Sequence, residues 1–152
     1  MCIRDSRGID IGAVVNNIYP KVINNQITSI ERCIWISFGS TPYIANNICI
    51  INQVDGIISQ YGFTGSYSGL NELYNNLFII GIGSGAALSN QTYFYNNIIT
   101  KNPAIGVLMG GNDQVLKNNI IENAEKVLST NTPSSQPTIE YNNFWNSVII
   151  YH

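Results

Sequence analysis

Tyr95-Asn96-Asn97-Ile98-Ile99 is the stretch on which the fold turns, because its phrase of paired asparagines before apolar residues returns along the whole chain. The pairs are Asn24-Asn25, Asn46-Asn47, Asn75-Asn76, Asn96-Asn97, Asn118-Asn119 and Asn142-Asn143, and their second members are spaced by 22, 29, 21, 22 and 24 residues. Three positions before the second asparagine stand Val22, Ile44, Leu73, Phe94, Leu116 and then Glu140. Two positions after it stand Ile27, Cys49, Phe78, Ile99, Ile121 and Trp145. Each unit therefore carries two apolar slots at fixed offsets, and Glu140 is the one polar exception.

A period of this size marks a solenoid, in which each unit buries its apolar face against its neighbours. Ile, Val, Phe and Tyr dominate the apolar positions, Gly and Asn punctuate short runs, and no segment keeps a helical apolar period over three turns. The elements are strands. A coil of about 22 residues holds three short strands plus turns, and successive coils stack at the inter-strand spacing of roughly 4.8 Å. The expected fold is all-β, a right-handed parallel β-helix of about six coils. A leucine-rich repeat is disfavoured, since Ile and paired Asn replace its Leu-x-Leu phrase.

The doubled asparagine has a physical reason in such a coil. A sharp corner between two strands wants a residue in the left-handed region, which Asn tolerates better than other non-glycine residues. Its neighbour can turn its amide inward and hydrogen-bond the equivalent amide of the next coil, as in stacked Asn ladders. Asn25, Asn47, Asn76, Asn97, Asn119 and Asn143 are the expected ladder, with a structural role and not a ligand-binding one.

Nine positions after the second asparagine stand Gly56, Gly85 and Gly106, each followed by apolar residues, and Cys33 and Val127 lie near that slot in two other coils. From this Gly slot to the next ladder asparagine the distance is 12 residues after Gly85, 13 after Gly106 and 20 after Gly56. Length variation is thus expected at one corner, with the longer loops emerging along a single edge.

Leu116–Leu128 (LKNNIIENAEKVL) and Phe94–Leu108 (FYNNIITKNPAIGVL) resemble the repeat of the pectate-lyase-like superfamily. That superfamily holds pectate lyases, polygalacturonases, pectin esterases, phage tailspikes and many surface proteins. The resemblance covers about residues 9 to 147 and implies a right-handed β-helix at the cell surface or outside the cell. It carries little about function, because the matching residues are core and ladder positions while function sits in grafted sites. Lyases of this fold cluster aspartates on adjacent coils to bind calcium, with an Arg or Lys as base; its hydrolases use several aspartates, a His and an Arg-x-Lys phrase.

Those sites have no counterpart in the sequence. Glu31 and Glu125 share a slot but sit four coils apart, roughly 19 Å at the ordinary strand spacing. Asp55, Asp113 and Glu122 share no slot, no Arg-x-Lys phrase is present, and the single histidine is His152. Converging oxygens for calcium and a carboxyl pair for glycoside hydrolysis are both missing from the pattern. No catalytic residue, metal ligand or cofactor is assigned, with calcium reserved for the lyase alternative.

Met1–Ser6 resembles the frame translation of a transposon end used in preparing DNA libraries, the mark of a metagenomic fragment, and is set aside. Residues 7–152 then form one β-helix domain, read as a piece of a longer solenoid because both ends would expose unpaired strands. Gly12 takes the Gly slot of a leading coil, with Asn16-Asn17 at the variable corner. A net charge of −2 with 11% charged residues gives no basic stripe for nucleic acid. No apolar run approaches the roughly 18 residues of a membrane span. Cys33 and Cys49 fall in different slots of neighbouring coils and read as buried small hydrophobes, their placement on different sheets disfavouring disulfide geometry. Oligomeric state has no signature here.

The expected site lies in the corner loops. Gln60–Gly69 is rich in Gly and Ser and carries Tyr61, Phe63 and Tyr67; Ser129–Gln136 is a Thr/Pro/Ser loop; Asn112 and Asp113 lie between them. Emerging at one corner, these would wall a shallow groove whose aromatics stack on sugars. The opposing reading has the aromatics folding the loop back onto the helix, with Asp113 merely forming a turn. The leading functional expectation is a non-catalytic scaffold that binds carbohydrate through these loops. The alternatives are a fragment of a polysaccharide lyase or glycoside hydrolase completed by other coils, and an adhesin stalk without a small ligand.

Overall fold

A computed structural model of the 152-residue chain describes residues 2–11, 19–36, 41–52, 61–65, 70–88, 91–111, 113–130 and 136–148. All of the regular structure in these residues is strand. A leading strand, β1 (Cys2–Ile11), is followed by β2 (Lys21–Ile23) and the long β3 (Gln26–Ile36). The next coil is β4 (Tyr43–Ala45), β5 (Ile48–Ile51) and β6 (Tyr61–Gly65). Then come β7 (Asn71–Tyr74), β8 (Leu77–Ile80) and β9 (Ser84–Leu88), and after them β10 (Thr92–Tyr95), β11 (Ile98–Lys101) and β12 (Ile105–Met109). The last full coil is β13 (Gln114–Lys117), β14 (Ile120–Glu122) and β15 (Lys126–Thr130), and β16 (Thr138–Glu140) with β17 (Asn143–Trp145) begin another.

Every pairing is parallel and joins equivalent strands of successive coils, so the chain is a parallel β-solenoid of about five turns with partial coils at either end. Three faces result. Face A is the six-stranded sheet of β2, β4, β7, β10, β13 and β16. Face B is built from the first half of β3 with β5, β8, β11, β14 and β17, and face C from the second half of β3 with β6, β9, β12 and β15. Because β3 runs unbroken through both, faces B and C together with β1 count as one 11-stranded sheet. Strand β1 pairs with β3 from Cys2↔Gln26 to Ile11↔Ile36 with a register shift between Asp5 and Arg7, so Cys2–Asp5, outside the repeat, run as backbone beside Gln26–Ser29.

Period-2 alternation sends one residue set inward on each face. Val22, Ile44, Leu73, Phe94 and Leu116 line the inside of face A; Ile27, Cys49, Phe78, Ile99 and Ile121 line face B; Ile34, Phe63, Ala86, Val107 and Leu128 line face C. All are nearly or fully buried. The two apolar slots of the repeat are thus the inward residues of faces A and B, and Phe78 and Phe94 stack across the interior at 6.2 Å.

The A/B corner is the asparagine pair. Asn24, Asn46, Asn75, Asn96 and Asn118 adopt φ of 54–59°, the left-handed turn residue. The following asparagine forms the ladder: the backbone N–H and Nδ2 of Asn25, Asn47, Asn76 and Asn97 both donate to Oδ1 of the next member at 2.9–3.3 Å. Nδ2 of Asn47, Asn76, Asn97 and Asn119 also donates back to a face A carbonyl, of Val22, Ile44, Leu73 and Phe94 respectively. The last rung differs from expectation. Asn119 donates to Asn142, not Asn143, and Tyr141 takes the left-handed position at φ 54°. The shift is forced by the inward slots: with Asn142 on the ladder, Ile139 and Phe144 pair with Leu116 and Ile121, whereas the Asn143 register would turn Glu140 inward.

At the B/C corner a column of small residues runs Gly8, Cys33, Gly62, Gly85, Gly106, Val127. A Cβ on Gly85 would fall 2.7 Å from the Gly106 carbonyl oxygen and 2.6 Å from Ile99 Cγ2. Gly106 stands in the same relation to Val127 and Ile121, and Gly62 to Gly85 and Phe78. Each corner residue therefore abuts the inward face B residue of the next coil. Gly8 and Gly62 occupy the slots expected of Gly12 and Gly56; those two glycines, with Asn16 and Asn17, lie outside the described residues.

The same relation places Cys33 against Cys49. They form a disulfide, with Cα atoms 5.8 Å apart, which corrects the expectation that different sheets would hold them apart. Faces B and C meet at this corner, and a pair of half-sized side chains shares the volume that elsewhere holds glycine and a large aliphatic or aromatic residue.

Candidate functional site

Much of the expected loop groove lies outside the described residues, and of its candidate ligand contacts only Tyr61, Phe63 and Asp113 are described. Residues 61–65 of the presumed loop form β6 on face C, paired with β3 and β9. Phe63 is fully buried beside Ile34 and Ala86, so it packs the core and is not a ligand contact. Tyr61 is half-buried at the start of the strand, opposite Arg32 and Ser84. Asp113 is an exposed corner residue at φ 60°, in keeping with a turn, and Tyr67 and Asn112 lie outside the described residues. By the strand bounds, nine residues separate β5 from β6 across the B/C corner against three between β8 and β9, and seven separate β15 from β16 across the C/A corner against three between β9 and β10, so length variation is not confined to one edge.

Face A presents a different cluster. Its inward residues alternate with outward ones that the strand register lines up in two columns. One column is Lys21, Tyr43, Glu72, Tyr93, Val115; the other is Ile23, Ala45, Tyr74, Tyr95, Lys117, Glu140. Four tyrosines from three successive coils so meet on one outer surface. Their ring centroids are 5.7 Å apart for Tyr43 and Tyr74, 5.5 Å for Tyr74 and Tyr95 and 5.6 Å for Tyr93 and Tyr95, within the range of favourable aromatic pairs. Tyr93 and Tyr95 lie nearly parallel, and Tyr74 meets Tyr95 edge-on.

Glu72 stands among these rings and accepts a long hydrogen bond from the Tyr74 hydroxyl at 3.4 Å. Burial, then the neighbouring carboxylate, pushes the Tyr74 phenol up to about 12, so it remains a protonated donor in neutral solution. At the far end of the face, Lys117 pairs with Glu140 at 3.1 Å and lies over the Tyr141 ring at 5.5 Å. Glu140 holds the Lys117 ammonium in its charged form, raising its pKa, though in so exposed a pair the stabilisation is slight. At the near end a cleft of about 320 Å³ is lined by Tyr19, Lys21, Thr41, Tyr43 and Glu72.

The outer residues of face A stand four and two places before the ladder asparagine, flanking the inward slot on each side. Reading the repeat at those two offsets is the signal that finds them; reading it at the inward slot alone passes them by. Elsewhere, Arg32 lies beside Glu31 at 3.4 Å and over the Trp35 ring at 5.1 Å, a local surface arrangement. Among the described residues no three His, Cys, Asp or Glu side chains converge as a metal-binding group. No helix among them is long and apolar enough to cross a membrane.

Compared with known proteins, the chain matches no family model, no curated protein and no solved structure.

Proposed function

We propose that this chain is a non-catalytic, secreted or cell-surface β-solenoid of the pectate-lyase-like superfamily that binds polysaccharide on face A. The observation that carries the reading is the tyrosine cluster: Tyr43, Tyr74, Tyr93 and Tyr95 are brought onto one outer surface around Glu72. Tyrosine couples an apolar ring, which covers the C–H faces of a sugar, to a hydroxyl that exchanges hydrogen bonds with sugar hydroxyls. A rigid sheet holds these rings in place before binding, so little ordering entropy is lost when a chain lies across them. The low charge of the protein suits a neutral, hydroxyl-rich partner.

The superfamily assignment is supported by parallel stacked coils with an internal asparagine ladder and by the repeat phrases that carry the resemblance. The extracellular assignment is supported by the Cys33–Cys49 disulfide, since such bonds persist in oxidising compartments.

The test is a screen of the purified chain against neutral and acidic polysaccharides, with and without calcium, following both binding and release of new chain ends. Binding without cleavage is expected, weakened by about tenfold or more when Tyr93 and Tyr95 are both replaced by alanine. Calcium-dependent release of unsaturated ends would overturn the non-catalytic reading and make the chain a lyase.

A further inference from the structure

The cleft at the near end of face A differs from the open tyrosine surface beside it. Two of its five described lining residues are aromatic, Tyr19 and Tyr43, and Tyr19 is 68% exposed. Two more are oppositely charged, Lys21 and Glu72, and Thr41 adds a hydroxyl. Lys21 pairs in register with Tyr43, and Tyr43 with Glu72, so the two charged residues sit on strands separated by the strand that carries the tyrosine. Two strand spacings put their backbones roughly 9–10 Å apart. No ion pair joins them, and each faces the same space.

The lining restricts what fits. A free anion gains from Lys21 but meets the Glu72 carboxylate, and a cation meets the reverse; with one charge of each sign, neither wins on charge. A purely apolar group would strip water from both charges without replacing their hydrogen bonds. A ring bearing several hydroxyls meets every demand: its hydroxyls accept from the Lys21 ammonium and donate to the Glu72 carboxylate, while its C–H face lies on an aromatic ring. At about 320 Å³ the cleft is at the small end of ligand sites, which suits a single sugar ring and not a long segment of chain.

We propose that this cleft is a specificity subsite that takes one neutral pyranose unit of the bound polysaccharide, held between Lys21 and Glu72 with Tyr43 and Tyr19 as its aromatic walls. It rests on the reading of face A as the polysaccharide surface. The Tyr74 hydroxyl, bonded to Glu72 and outside the described lining, orients the carboxylate, making Tyr74 a positioning residue. The open tyrosines supply affinity for a chain of any composition, and the cleft discriminates. A uronate in the subsite would set its own carboxylate against Glu72.

The experiment is calorimetric titration of the intact chain with hexamers of β-linked glucose, mannose and xylose and with a galacturonate hexamer. A neutral hexamer is expected to bind at least about tenfold more tightly than the galacturonate hexamer. Glu72→Gln and Lys21→Gln are each expected to weaken the preferred neutral hexamer by about tenfold, as loss of a charge-assisted hydrogen bond does. Glu72→Gln is also expected to tighten binding of the galacturonate hexamer. Tyr93→Ala should weaken all bound hexamers by a common factor, leaving their ratios intact. Unchanged ratios and affinities in both cleft variants, with Tyr93→Ala still weakening binding, would overturn the subsite and leave the face A reading standing. Tighter binding of galacturonate by the wild type would also overturn it. No binding by any hexamer would overturn both. Matching thermal melts of the variants ensure that lost binding is not lost folding.

Discussion

At the residue scale, the two members of each asparagine pair have different physical tasks. The first supplies a left-handed corner and is exposed at positions such as Asn46, Asn75 and Asn96; the second is buried and saturates its amide. Asn97 accepts from the N–H and Nδ2 of Asn76 and donates to Leu73 O and Asn119 Oδ1. Asn97→Ala would leave the buried Asn76 N–H without its acceptor and remove the Nδ2 bonds to Leu73 O and Asn119 Oδ1, so a loss of about 3 kcal/mol is expected in urea unfolding. Asn96→Ala alters only the corner conformation and should cost about 1–2 kcal/mol. Equal losses for the two would show that the ladder bonds carry no special weight. Tyr74 offers a second residue-scale prediction. Its pKa lies at about 12 in the folded protein against 10 for the free side chain, so the stability it confers is complete below pH 10 and lost as pH rises towards 12. Urea midpoints measured between pH 9 and 12 should fall, and the fall should be smaller in Tyr74→Phe.

At the element scale, the B/C corner obeys a rule of complementary size. Glycine at the corner allows the next coil's Phe78, Ile99 or Ile121 to reach it, and Cys33 with Cys49 satisfies the same rule by a covalent bond. The disulfide spans 16 residues, and closing a loop of that size stabilises by about 3 kcal/mol in the chain-entropy model. Replacing both cysteines by alanine should lose that amount and also leave the shared volume unevenly filled. Cys33→Gly with Cys49→Ile recreates the arrangement of Gly85 and Ile99, and it is expected to be about 1–2 kcal/mol more stable than the double alanine variant. If the two variants melt together, packing at this corner is not governed by the size rule.

At the scale of the whole molecule, coils touch only their neighbours, so stability should be distributed along the solenoid and not concentrated in one nucleus. Coils with a neighbour on both sides keep both sets of ladder and sheet hydrogen bonds. Amide exchange is expected to be slowest at Phe78 and Ile99, inside β8 and β11, and fastest in β16 and β17, whose Ile139 and Trp145 are partly exposed. Uniform protection along the chain would indicate a single cooperative unit instead. The same one-dimensional construction makes the binding face: because every coil repeats the register, any outward residue type recurring at one offset becomes a continuous column, and on face A that type is tyrosine.

The sequence by itself determined the period, the strand class, the inward slots of faces A and B and the identity of five ladder asparagines. These were legible because a solenoid interior must be filled identically in every coil, so its inward and ladder positions repeat at fixed offsets. The exception in the pattern, Glu140, was the one hint that the last rung is Asn142. Only the tertiary structure decided the rest. It set β5 and β6 on either side of the B/C corner, moved Phe63 from loop to core, joined Cys33 to Cys49 and gathered the tyrosines on face A. The physical reason is that extra residues can be looped out at any corner for a small difference in closure entropy, so spacing alone does not say which corner takes them. Contacts across a corner and between outward columns follow from that choice, and they exist only once the coils are stacked.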